Sequence, residues 1–238
     1  MTYFLTSSPC TVGAPVFNRE NGLVDGLRNA LPRQLSGLFI CSSPDDPERT
    51  DRFSQDMKFC FEEAGFSFVS YRVLDGRTRH EAAELLRAAN LVILAGGHVP
   101  TQNRFFNGIG LRELLQDWNG TVLGISAGTM NSADVVYAHP ELEGETGPDF
   151  QRFLPGLGLT ETVILPHYQM LRDEVLDGLR VFEDVAYPDS MGRRFYALPD
   201  GSYLFGNGTA EELRGEAYLI ADGVLTQISK NGDTVTLK

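Results

Sequence analysis

The chain has 238 residues, 42% of them hydrophobic and 22% charged, an ordinary globular composition that excludes disordered and fibrous classes. Its formal net charge of −12 argues against a nucleic-acid or anionic-membrane surface, which would need basic patches. The three cysteines, Cys10, Cys41 and Cys60, form no CxxC, no apolar run is long enough to span a bilayer, and Met1–Thr6 lacks a leader's basic and apolar regions, so a cytoplasmic protein with reduced thiols is expected.

Strand and helix signals alternate through the first two-thirds of the chain. Residues 3–6 are a short apolar run closed by Ser7-Ser8-Pro9. Leu23, Leu27 and Leu31, with Val24 and Ala30 beside them, share one helical face. Leu38–Cys41 reads as a buried strand, and Phe53, Met57, Cys60, Phe61 and Ala64 form the stripe of a second helix stopped by Gly65. Phe66–Val73 predicts a third strand, residues 80–89 a third helix, and Leu91–Leu94 a fully apolar fourth strand. A helix around Leu111–Trp118 leads into the strand Thr121–Ile125. Apolar strands without alternation, separated by amphipathic helices, point to a parallel sheet covered on both faces.

The pattern then changes. Residues 139–158 are rich in Gly, Pro and acids and predict an excursion. Thr162–Leu165 reads as a strand, followed by a helix carrying Val175, Leu179 and Phe182. Short strands follow at Phe195–Leu198, Tyr203–Phe205, Ala217–Ile220, Val224–Ile228 and Thr234–Leu237, with turn signals at Ala221-Asp222-Gly223 and Asn231-Gly232-Asp233. No repeat or linker interrupts the chain, so residues 1–238 are expected to form one α/β domain with a short C-terminal β-hairpin region.

Gly124-Ile125-Ser126-Ala127-Gly128 is the most informative stretch. Strand, tight glycine-flanked turn with serine at the apex, then helix is the sequence form of a nucleophile elbow. The turn projects the hydroxyl clear of the sheet and leaves the Ala127 N–H free at a helix start, where it can hold an oxyanion. A glycine-rich loop that merely contains serine matches the same five letters, so partners must decide. Gly96-Gly97-His98, after the strand Leu91–Leu94, offers a second glycine-rich strand end whose N–H groups could face an oxyanion.

Serine needs a base, and the chain has four histidines. His80 opens a polar helix, His139 lies in the excursion, and His167 follows the strand ending Leu165-Pro166, on the rim expected for Ser126. A histidine there can also be structural; beside an elbow serine it reads as the base. The base needs an acceptor on its other nitrogen. Asp200, in Leu198-Pro199-Asp200-Gly201, stands after a short apolar run, although Pro-Asp-Gly is equally a common turn. Glu141, Glu143 and Glu145 in the excursion are rivals for the triad acid.

The order Ser, His, Asp differs from the Ser, acid, His order of α/β-hydrolases. With Gly-Gly before the elbow, GISAG, Pro-His after the next strand and a later Leu-Pro-Asp-Gly, the chain resembles the S51 serine peptidases over roughly residues 1–206. That family includes dipeptidase E and cyanophycinase. The resemblance implies a flavodoxin-like, class I glutamine amidotransferase-like sheet, with serine in place of the amidotransferase cysteine. It implies Ser126 as nucleophile, His167 as base, Asp200 where members often carry glutamate, and Gly97 and Ala127 as oxyanion donors. The implied reaction is acyl transfer to serine and hydrolysis of a short peptide or isopeptide.

Two departures concern the substrate. Members tend to carry Asn after the paired glycines, where this chain has His98, then Val99-Pro100-Thr101-Gln102. The arginine segment that reads an aspartyl substrate in dipeptidase E has its nearest counterpart in Arg172, with Arg193 and Arg194 more remote. His98, Gln102, Gln169 and Arg172 are therefore the substrate-binding candidates. A small peptide is the expected partner, with no nucleic acid or membrane, and a homodimer is among the assemblies left open. No HExxH and no Cys/His cluster calls for a metal, and no cofactor is expected. An amidase on a non-peptide amide and a catalytically silent binding or sensing domain are the competing readings.

Overall fold

The computed structural model describes residues 1–237. In chain order the first half contributes β1 (Thr2–Thr6), α1 (Leu23–Ala30), β2 (Gln34–Ile40), α2 (Pro47–Glu63), β3 (Ser67–Leu74), α3 (Ala82–Ala88), β4 (Leu91–Leu94), α4 (Val99–Gly108), α5 (Leu111–Gln116), β5 (Thr121–Ile125) and α6 (Ala127–Met130). The second half contributes β6 (Val135–Tyr137), β7 (Phe153–Pro155), β8 (Val163–Leu165), α7 (Tyr168–Leu171), β9 (Val175–Leu176), β10 (Leu179–Arg180), a π-helical stretch Val181–Ala186 running into α8 (Tyr187–Asp189), and β11 (Arg194–Ala197). The tail adds β12 (Tyr203–Gly206), β13 (Glu211–Arg214), β14 (Ala217–Ala221), β15 (Val224–Ser229) and β16 (Thr234–Leu237).

Eight strands form the central sheet in the order β16-β13-β12-β1-β5-β4-β2-β3. The run from β1 to β3 is parallel, as the unbroken apolar runs require, and β12, β13 and β16 extend it antiparallel. Alternate residues of each strand supply opposite faces. Leu5, Leu38, Ile40, Val92, Leu94 and Val122 pack with α3, α4 and α5, while Phe4, Phe39, Ile93 and Leu123 pack with α1 and α2. The expected mostly parallel sheet with helices on both faces is therefore present.

A second sheet, β15-β14-β11-β8, shares a third apolar cluster with α6 and the Val181–Ala186 stretch. Within it β8 and β11 are parallel neighbours, Leu165 opposite Ala197. The C-terminal hairpin β14–β15 belongs here, and the tail crosses between sheets: β12 and β13 pair in the central one, β14 and β15 in the second, β16 in the central one again.

Several elements differ from the sequence reading, and the strands β6 and β7 were not read from it. Val175 and Leu179 lie on the hairpin β9–β10 rather than on a helix; Asp177 (φ 51°) and Gly178 (φ 80°) make its two-residue left-handed turn. Only Phe182 of that stripe is helical. Helix α4 begins at Val99-Pro100, with proline in the first turn where its missing N–H costs nothing. Strand β13, Glu-Glu-Leu-Arg, is too polar to be read as a strand and forms because β12 and β16 flank it. The three cysteines are free, with Cys10 Sγ 3.4 Å from Cys60 Sγ. No helix among the described residues is long and apolar enough to cross a membrane.

Candidate active site

Thr6 pairs with Ile125 and Leu94 with Gly124, so the carboxyl ends of β1, β4 and β5 emerge side by side. Open α/β sheets bind ligands at this edge. Ser126 follows β5 at φ 49°, ψ −108°, a conformation that costs a non-glycine residue about 1–3 kcal/mol. Its N–H donates to Thr6 and Ser7 carbonyls at 3.1 Å each, and its carbonyl accepts the Met130 N–H at 3.0 Å, which fixes the turn from both sides.

The flanking glycines have steric causes. A Cβ on Gly128 would lie 2.4 Å from the Leu94 carbonyl oxygen, and one on Gly124 would lie 2.9 Å from both Leu5 Cδ2 and Thr129 Oγ1. Helix α6 can approach β4 and β5 only because both side chains are absent. Gly97 has φ 155°, and a Cβ there would meet Ser42 Oγ at 2.3 Å. Ala127 is the first residue of α6, where a helix leaves its N–H groups unbonded, and a Cβ on Gly96 would lie 3.4 Å from Ser126 Cβ, so the glycine-rich end of β4 approaches the serine.

His167 and Asp200 come from the second sheet. They follow β8 and β11, and because those strands are parallel neighbours both residues leave at one edge, with Tyr168 N–H donating to Leu198 O at 3.1 Å. His167 Nε2 is 2.9 Å from Ser126 Oγ and its Nδ1 is 2.7 Å from Asp200 Oδ1. His167 holds a left-handed backbone, φ 57° and ψ 37°. Burial pushes the Asp200 carboxyl up, but hydrogen bonds from His167 and Ser7 and the His167 charge outweigh it, leaving Asp200 below the usual carboxylate value.

The rival acids go elsewhere. Glu145 accepts from His98 Nε2 at 2.8 Å and from the Glu141 and Leu142 N–H groups at 2.8 and 3.0 Å. Glu143 is exposed. Glu141 accepts the Val99 N–H at 3.3 Å and lines the pocket beside Ser126. Burial, with a contribution from the Glu145 charge and against the Val99 N–H and the two histidine charges, pushes the Glu141 carboxyl up to about 7.

The substrate-binding candidates divide. Gln102 is fully buried: its amide nitrogen donates to Ala95 O at 2.7 Å and its oxygen accepts from Asn131 at 3.0 Å, so it braces the end of β4 instead of facing a ligand. Arg172 points to solvent and pairs with Asp173 at 2.9 Å. His98 stands at the N-cap position of α4, with its ring bonded to the Thr101 and Glu145 side chains and not to the helix's N–H groups. Gln169 accepts the Asp200 N–H at 3.1 Å, a contact that steadies the acid's turn.

Two residues that the sequence did not single out stand at the site. Ser7 is buried and bonded to both His167 and Asp200; its signal was its place after an apolar strand, the same signal that marks Ser126. His139 forms part of the pocket wall with neither ring nitrogen hydrogen-bonded, and burial, reinforced by the His167 charge, holds its pKa down at about 4. The pocket encloses about 270 Å³ among Ser126, His167, Met130, His139, Glu141 and Met170, with Leu171, Glu174 and Leu176 also on its wall. A larger cleft of about 840 Å³, lined by Tyr3, Thr160, Arg194 and Glu211, contains none of the three triad candidates.

Known proteins agree with this architecture. A peptidase from an acI-B1 Actinobacterium superposes with a TM-score of 0.69 at 16% identity, covering 99% of this chain and 96% of that one. A protein from Listeria monocytogenes EGD-e, described as a candidate peptidase E, gives 0.60 at 16% identity over 96% of this chain and 98% of its own. At such identities the likeness is one of fold. No curated protein matches the chain. Peptidase family S51 matches residues 21–213. By that match over most of its length, the chain belongs to peptidase family S51 and is a serine-type peptidase.

Proposed function

We propose that this peptidase hydrolyses short peptides or isopeptides through an acyl-enzyme on Ser126. The observation that carries this reading is the continuous chain Ser126 Oγ, His167 Nε2, His167 Nδ1, Asp200 Oδ1 at 2.9 and 2.7 Å. His167 takes the hydroxyl proton as Ser126 Oγ attacks the carbonyl carbon, and the Gly97 and Ala127 N–H groups receive the oxyanion. The imidazolium, oriented and balanced by Asp200, then gives its proton to the departing amine. Water enters by the same base, and hydrolysis of the ester frees the serine.

The pocket guides the choice of substrate. Its wall is largely apolar, with Met130, Met170, Leu171 and Leu176, and its carboxyl groups are those of Glu141 and Glu174. No lysine or arginine lines it among the described residues, so a carboxylate side chain would enter against like charge. We assign it to an apolar or amine-bearing residue, not an aspartyl one. We further propose a one-domain cytoplasmic enzyme that needs no cofactor.

Labelling with a fluorophosphonate probe tests the nucleophile. An adduct on Ser126 that is absent from Ser126→Ala supports the reading, and unchanged peptide turnover in that variant refutes it. A dipeptide panel tests the pocket: Met-X and Leu-X peptides should exceed Asp-X in kcat/KM by about tenfold or more, because the wall favours an apolar side chain and repels a carboxylate.

A further inference from the structure

Ser7 touches all three members of the proposed triad. Its carbonyl accepts the Ser126 N–H at 3.1 Å. Its Oγ accepts the His167 N–H at 2.7 Å and donates to Asp200 Oδ1 at 2.7 Å, the oxygen that also faces His167 Nδ1 at 2.7 Å. Its own N–H donates to Ser202 O at 3.1 Å, and the neighbouring Ser8 carbonyl takes the Gly201 N–H at 3.1 Å, so the end of β1 is tied to the turn that carries Asp200. The side chain is fully buried, at 0% exposure.

We propose that Ser7 is a positioning residue for catalysis: its hydroxyl locks the Asp200 carboxylate and the His167 main chain into one register against Ser126. The proposal rests on the triad reading above. A buried serine with a purely structural role usually satisfies its hydroxyl on a nearby carbonyl, as Thr6 does with Gly124 O at 2.7 Å. Ser7 does not. The His167 N–H occupies its acceptor side, which directs its proton to Asp200, and both partners are groups whose orientation the reaction uses.

The lock acts on two soft degrees of freedom. An aspartate carboxylate rotates in a broad two-fold well, and the Ser7 donor, with the His167 ring, fixes which oxygen faces the base. The left-handed His167 backbone (φ 57°) is a sparsely populated conformation for a residue with a Cβ, and the bond from its N–H to Ser7 Oγ helps hold it. Sheet pairing supplies the anchor, since Ser7 extends β1 between its two neighbours, β5 and β12.

The test compares Ser7→Ala, Ser7→Thr and Ser126→Ala by steady-state kinetics across pH, with circular dichroism to establish folding. Ser7→Ala should lower kcat by about 10- to 100-fold, the loss of one hydrogen bond to a charged group, with KM within about twofold. Without the Ser7 donor the Asp200 carboxylate becomes more basic and holds the imidazolium more tightly. The acid limb of kcat/KM should therefore move to higher pH by about half a pH unit. His139, Glu141 and Glu174, the titratable groups that line the pocket with His167, are unchanged in this variant, so the displacement reads the Asp200 side. Ser7→Thr, which keeps the hydroxyl, should restore most of kcat and the wild-type limb.

A Ser7→Ala enzyme within twofold of wild type, beside an inactive Ser126→Ala, overturns the proposal and leaves the triad standing. Equal loss in Ser7→Ala and Ser7→Thr with an unmoved acid limb also overturns it, since that is the mark of a structural role. Full activity in Ser126→Ala would instead fell the triad reading itself. If Ser7→Ala does not fold, Ser7→Cys, with a weaker donor at the same place, is judged by the same limb and rate.

Discussion

Replacing Glu141 by glutamine should make the protein more stable at neutral and alkaline pH and leave it unchanged in acid. The carboxyl sits in the pocket wall, where burial and the Glu145 charge raise it from 4.5 to about 7. A carboxyl raised on folding binds more protons in the folded than in the unfolded chain between those two values. Stability therefore falls as pH rises through that window, and the loss is complete above about 7. That interval, at about 1.4 kcal/mol per pH unit, amounts to about 3 kcal/mol. Glutamine cannot ionise yet keeps an oxygen for the Val99 N–H, so it should recover most of this. Urea titrations of both proteins from pH 4.5 to 8 would show curves that coincide at the acid end and separate steadily to about 3 kcal/mol. At this chain length the same gap moves the melting midpoint by roughly 6–12 °C. Parallel curves, or a variant weaker than wild type at pH 8, would refute the argument that an ionised carboxylate is being held in a desolvated wall.

Ser126→Gly should abolish peptide turnover while raising stability by about 1 kcal/mol, because glycine adopts φ 49°, ψ −108° without strain; chemical denaturation against Ser126→Ala isolates the backbone contribution. His167→Ala should cost about 10⁴-fold or more in kcat, and Asp200→Asn about 10²- to 10⁴-fold, since asparagine can present the imidazole with the wrong tautomer; fluorophosphonate labelling rates follow both. Gly128→Ala should destabilise by about 1–3 kcal/mol or prevent folding, because its Cβ would meet the Leu94 main chain at 2.4 Å and nothing flexible can yield; thermal melts read this directly.

The central sheet was legible because a strand buried on both faces must be apolar throughout. Leu91-Val92-Ile93-Leu94 sends Leu91 and Ile93 to one helical layer and Val92 and Leu94 to the other. The β9–β10 hairpin was not. Val175, Leu179 and Phe182 stand at helical spacing, yet Asp177-Gly178 between two apolar residues is a hairpin turn signal of the strongest short-range kind. The turn won because its aspartate also accepts from Gly144 N–H at 2.9 Å and Thr146 Oγ1 at 2.8 Å, contacts made with the distant excursion that no local pattern reveals.

The choice among acids shows the same divide between local and non-local information. Asp200 and Glu141 are each a carboxylate in a turn-rich segment near a strand end, and sequence ranks them only by family likeness. Geometry separates them by sheet pairing. Because β11 lies parallel and adjacent to β8, the residues after Ala197 and after Leu165 leave the sheet together, which brings the Asp200 carboxylate to His167 Nδ1. The excursion leaves β6 on the other side of the pocket, where Glu145 engages His98 and Glu141 meets the start of α4. Glu141 thus lines the cavity directly while Asp200 stands behind His167, and the two carboxylates have opposite electrostatics. Asp200, hydrogen-bonded by Ser7 and His167, stays ionised and in the proposed triad would support an imidazolium, while Glu141, desolvated, gains a proton readily. An amine-bearing substrate that ionises Glu141 on binding would take up its own counter-ion from the wall, which is why the acidity of this pocket bears on what the enzyme cleaves and not on how it cleaves.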